Sequence, residues 1–63
     1  MDLNTRDTVM KKLLDAQENV RDYEAFSKRV DDDEVASVFK DFAEESGFQA
    51  QKLQKLLSKY DNR

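Results

Sequence analysis

Ser46 and Gln49 are the residues of this chain best placed to do chemistry. One helical turn apart, they interrupt an otherwise apolar stripe. A hydroxyl and an amide inside a helical bundle destabilise it unless they are hydrogen-bonded. Such a pair either fixes helix register, as a buried asparagine does in coiled coils, or is what remains of a ligand site. A second candidate pairing is Glu24 with Glu45, at the edges of two stripes. Two carboxylates brought together can hold a divalent cation or act as acid and base. The plainer reading is two solvated side chains that pair with lysine or arginine. Histidine and cysteine are both absent. There is accordingly no thiolate nucleophile, no imidazole base and no zinc site of the usual ligands.

These residues are positioned by two amphipathic segments. In the second half Val35, Phe39, Phe42, Ser46, Gln49, Leu53, Leu56 and Tyr60 follow one another at alternating steps of four and three. That is the seam of a helix that meets other helices, widened by Val38 and Leu57. In the first half Val9, Leu13, Ala16, Val20, Tyr23, Phe26 and Val30 recur at steps of three or four, flanked by Met10 and Leu14. Opposite Ser46 and Gln49, the first helix offers Ala16, Val20 and Tyr23.

The stops lie where helix chemistry puts them. Asn4 or Thr5 suits an N-cap, with Asp7 in the first turn where the helix dipole favours a negative charge. The run Asp31-Asp32-Asp33-Glu34 divides the two stripes. Asp31 with Glu34 has capping-box spacing, and Asp32 is the competing cap. One domain is expected over 1–63, with a helix over about 5–30, a turn at about 31–33 and a helix over about 33–60. Asp61, Asn62 and Arg63 are expected to fray. So short a connection makes the helices antiparallel neighbours, each about 40 Å long at about 1.5 Å per residue.

Composition narrows the function classes. Fourteen acidic against eleven basic residues give a net charge of −3, which argues against a nucleic-acid partner. Charges of both signs are interleaved along the chain, as on a solvated helix face. No apolar run reaches the roughly 20 residues of a membrane helix, and no signal-peptide pattern opens the chain. A cytoplasmic protein without a membrane partner is the expectation. Phe48 sits amid Asp41, Glu44, Lys52 and Lys55, off the seam. An aromatic there is either ordinary surface or an anchor for a protein partner. Gly47 interrupts the second helix. It either admits a close neighbour or is a neutral surface residue.

From Ala16 to Leu57 the chain resembles the helical hairpin of rubrerythrins and other ferritin-like proteins. The resemblance rests on Tyr23-x-x-Phe26 in the first helix. In the second it rests on the Phe-x-x-Phe-Ala-Glu-Glu run from Phe39, followed by Ala50-Gln51-Lys52-Leu53. In that family each hairpin supplies a Glu from one helix and a Glu-x-x-His from the next, and two hairpins enclose a di-iron centre. Laid onto this chain, those ligand positions fall on Ala16, Ser46 and Gln49. A methyl, a hydroxyl and an amide are poor iron ligands. The resemblance therefore implies the fold without the family's peroxide or iron chemistry.

The expected fold is all-α: an antiparallel two-helix hairpin that dimerises into a ferritin-like four-helix bundle. The expected function is that of a non-enzymatic structural or protein-interaction module, with no cofactor, no catalytic residue and no bound metal. The alternative is a divergent ferritin-like metal-binding or redox protein that uses Glu24 and Glu45. A homodimer is the expected assembly, with a different, longer ferritin-like subunit as another partner to weigh.

Overall fold

The computed structural model describes residues 4–61. They form two helices, α1 (Thr5–Ser27) and α2 (Asp33–Asp61). The five-residue connection turns the chain back on itself, and the helices pack side by side. No described residue is in a strand. Asn62 and Arg63, two of the three residues expected to fray, lie outside the described residues.

Capping fixes both helix starts. The Asn4 side chain accepts the Asp7 amide at 2.7 Å, and its carbonyl accepts the Thr8 amide at 3.1 Å. Asp32 does the same for α2. One of its carboxylate oxygens accepts the amides of Glu34 at 2.9 Å and Val35 at 3.1 Å. Its carbonyl takes the first helical bond, from Ala36. The cap is therefore Asp32, and Asp31 with Glu34 does not form a capping box. With Asp32 as cap, Glu34 lies only two residues into the helix, one short of the box position.

α1 ends at Ser27, three residues earlier than its apolar periodicity suggests. Its last bonds tighten: the amides of Lys28 and Arg29 reach back three residues, to Ala25 and Phe26. Such three-residue closures satisfy terminal carbonyls without a glycine cap, and no described residue has a positive φ. Val30 follows, half-buried over the end of the hairpin.

The intramolecular seam is narrow and made largely of small side chains. Leu13, Ala16, Ala43 and Leu57 are its buried apolar residues, and Ser27 and Ser46 are buried with them. Small residues at a helix contact let the axes approach closely. Ser27 fills the α1 position expected of Phe26, which is exposed instead. Its hydroxyl donates to the Glu24 carbonyl at 2.7 Å, so burial leaves it satisfied.

The seam of α2 is rotated relative to the stripe read from sequence. Val35, Phe39, Ser46 and Leu53 do face α1 and are buried or half-buried. Phe42, Gln49, Leu56 and Tyr60 are exposed, and Ala43, Ala50 and Leu57 take their places. The physical reason is that α2 carries two adjoining apolar strips, and one neighbouring helix covers only one of them. Tyr23 bridges the two. Its ring meets Phe39 and Phe42 edge-on, with centroids 5.4 and 5.3 Å apart, a favourable aromatic geometry.

The result is a single layer, 47 × 24 × 12 Å. Its radius of gyration is 14.4 Å, against roughly 11 Å for a compact chain of this length. Among the described residues no large side chain is fully buried.

Candidate functional site

Two grooves run along the hairpin, one on each broad face of the layer. The first, about 240 Å³, is lined by Asn19, Tyr23, Phe42, Glu45, Ser46 and Gln49. It contains the polar pair singled out in the sequence. Ser46 lies at the bottom, buried in the seam. Gln49, one turn further on, stands at the exposed rim. The pair is thus brought to one groove but not to one depth. Gln49 does not face the core of the hairpin, as its place in the stripe suggests.

Ala16 is buried in the seam and does not line this groove. The three positions that the ferritin-like resemblance marks as ligand sites therefore differ in environment. Two are dry and one is wet. Their groups are a methyl, a hydroxyl and an amide, which do not suit iron. No cluster of three or more acidic, histidine or cysteine side chains forms among the described residues.

Glu24 and Glu45 are held apart. Glu45 lines the first groove, and Glu24 lines the other with Val20, Lys40, Ala43, Glu44, Gly47, Phe48 and Gln51. Helical phase separates them: Glu24 projects to one face of the layer and Glu45 to the opposite one. Within one hairpin they cannot share an ion. Lys40 lines the second groove together with Glu24.

Among the described residues Phe48 is the most exposed large apolar side chain, at 57 %. It borders the second groove, about 510 Å³, whose other walls are mostly polar or small. Gly47 adjoins it. A Cβ built there would meet nothing within 4 Å, so no neighbour in the hairpin requires the glycine. Gly47→Ala is accordingly expected to stabilise the helix by about 0.5–1 kcal/mol. Urea denaturation followed by circular dichroism measures this. A loss of stability would show that a second chain approaches there.

Surface electrostatics add little to the site. Asp15 pairs with Lys11 at 3.1 Å and Lys12 at 3.3 Å on the outside of α1. The Lys11 and Lys12 hydrogen bonds hold its carboxyl below the ordinary aspartate range. The group is solvent-exposed, and such pairs contribute little to stability.

The stripe read from sequence puts Phe42, Leu56 and Tyr60 in the seam, widened by Val38; the structure turns them to the flank of α2 beyond the first groove. Of the seven exposed large apolar residues among the described ones, five, Phe26, Val38, Phe42, Leu56 and Tyr60, project to that same face. Leu14 and Phe48 point elsewhere. The opposite face carries Arg6, Gln17, Arg21, Lys28, Gln51 and Gln54. The first face sets large apolar groups around Glu45, Gln49 and Lys52, and the other is mostly charged and amide-rich. No described helix is long and apolar enough to cross a membrane. Comparison of the chain with protein-family models, with curated proteins and with solved structures gives no match.

Proposed function

We propose that this chain is a non-enzymatic, rubrerythrin-like helical module with a structural or protein-interaction role. It acts in the cytoplasm as a homodimer, two hairpins forming a four-helix bundle. The observation that carries the reading is the gathering of Phe26, Val38, Phe42, Leu56 and Tyr60 on one face of a layer only 12 Å thick. A monomer leaves these five large apolar side chains in water, and apolar groups gathered on one face mark interaction sites. Covering it with like helices gives the usual bundle geometry, with crossing angles of about 20°. The chemistry of the groove supports the non-enzymatic part of the reading. Ser46 has no histidine to activate it anywhere in the chain, and Glu24 and Glu45 lie on opposite faces.

Sedimentation equilibrium tests the assembly. A chain of 7.4 kDa is expected to sediment with twice that mass at micromolar concentrations. A stable monomer at high micromolar concentration would overturn the proposal. Metal analysis of protein purified without chelator tests the other half. A ferritin-like redox protein needs about one or two ions per dimer, and stoichiometric iron would favour that alternative.

A further inference from the structure

The exposed row on α2 reads alike from both of its ends. Count outward from Gln49. Glu45 and Lys52 come first, four residues before and three after. Phe42 and Leu56 come next, seven residues to either side. Val38 and Tyr60 close the row, eleven residues to either side. Steps of three and four keep all of them on one side of a helix with about 3.6 residues per turn. A two-fold rotation about an axis beside Gln49 thus lays large apolar groups on large apolar groups and Glu45 on Lys52.

We infer that a second copy of this chain covers this face, its α2 lying antiparallel across the first, with the two-fold axis beside Gln49. In that pairing Phe42 meets Leu56 of the second copy, and Val38 meets its Tyr60. Glu45 and Lys52, on the outer flank of the row, form two symmetric ion pairs, as flanking charges do in coiled coils. The two Gln49 amides meet at the axis, where each offers both a donor and an acceptor to the other. The turn ends of the two hairpins point in opposite directions. The inference rests on the homodimer reading above and gives it an orientation.

The competing two-fold arrangement puts both turns at one end and stacks α2 on α1 of the second copy. The Tyr23 ring contacts with Phe39 and Phe42 set the register of the hairpin so that Lys12 lies level with Lys52. Stacking in that arrangement sets Lys12, partly offset by its Asp15 partner, against Lys52 and leaves Glu45 without Lys52. Like charges placed opposite one another disfavour it.

Area supports a chain of this size as the occupant. The accessible surface is 5233 Å², against roughly 4200 Å² for a compact folded chain of this mass. The excess, about 1000 Å², is close to the roughly 800 Å² that each partner buries in a stable interface. A face measuring 47 × 24 Å can supply it.

The absence of native cysteine makes single-cysteine cross-linking direct. Gln49→Cys, exposed in the hairpin, is expected to join to itself through a disulfide or a short bismaleimide. Val38→Cys mixed with Tyr60→Cys is expected to give the mixed product rather than either self-product. Glu45→Lys is expected to weaken dimerisation about three- to tenfold, and adding Lys52→Glu to restore it. Sedimentation of each reduced variant shows first whether it still associates. Efficient Val38→Cys self-linking, with no linking at Gln49→Cys, would overturn the antiparallel arrangement and leave the homodimer standing. Failure of the unmodified chain to self-associate would overturn both.

Discussion

Leu13→Ala is expected to cost the hairpin about 2–4 kcal/mol, and Leu14→Ala less than about 0.5 kcal/mol. The two leucines are adjacent and chemically identical, so the comparison isolates position. Leu13 is 4 % exposed in the seam, and Leu14 is 56 % exposed on the outside of α1. Truncating a buried leucine loses its transfer free energy and leaves a cavity. Truncating an exposed one does little, and alanine is the better helix former. A chain of this length has a total stability of about 3–9 kcal/mol. Leu13→Ala should therefore leave a substantially unfolded population at low concentration, visible as lost far-ultraviolet helicity and a lowered urea midpoint. Leu14 lies off the apolar face proposed for dimerisation, so neither variant removes a contact from that interface. Equal losses at the two positions would mean that α1 does not present its Leu13 stripe to α2.

Phe42→Ala behaves differently on this account. The sequence stripe suggests full burial and a loss of about 3–5 kcal/mol. In the hairpin Phe42 is 38 % exposed and holds mainly to Tyr23. Its truncation removes less from the folding of one chain and more from the pairing of two.

That difference shows what periodicity can and cannot read. In the first half of the chain it picks out the buried or half-buried Val9, Leu13, Ala16, Val20 and Tyr23 of α1 and Val30 after it, because one stripe meets one neighbour. It errs at Phe26, since a serine with its hydroxyl turned back to the Glu24 carbonyl packs as well as an apolar residue and carries no hydrophobic signal. In α2 two adjoining strips merge into one broad stripe. Large side chains dominate any count of hydrophobicity, so Phe42, Leu56 and Tyr60 draw the seam toward themselves. Ala43 and Ala50 weigh little in such a count, yet small residues suit the close contact with α1. The helix starts are legible, because Asn and Asp caps act through local hydrogen bonds. The end of α1 is not, because it depends on how its last carbonyls are satisfied. As for the groove, the sequence brings Ser46 and Gln49 to one helical turn. Their difference in depth depends on the phase of α2 against α1, which residue spacing alone does not set.

Filling the three ligand-equivalent positions should have the largest effect of all. Ala16→Glu and Ser46→Glu each place a carboxyl in a buried seam, and Gln49→His adds an imidazole at the rim. Removing a charge from water costs several kcal/mol even after relaxation. Two such groups at neutral pH therefore exceed the stability of so small a chain. The metal-free triple variant is expected to unfold near pH 7. Burial raises the folded-state pKa of a glutamate above its unfolded value. The folded state then binds more protons, so stability should recover as the pH falls toward the ordinary glutamate pKa of about 4.3. Ferrous iron should restore folding without acid, if paired hairpins converge their ligands as rubrerythrins do. A ligand bound only by the folded state stabilises it by about 2.7 kcal/mol at a hundred times its dissociation constant. Circular dichroism against pH and iron concentration, under anaerobic conditions, separates the two rescues. Stoichiometric iron in the unmodified protein would sink the view that these positions hold no metal. A triple variant rescued by acid but indifferent to iron would leave that view intact. It would count instead against the rubrerythrin-like pairing of the hairpins, because the introduced carboxylates would then be buried in the seam without meeting across the bundle.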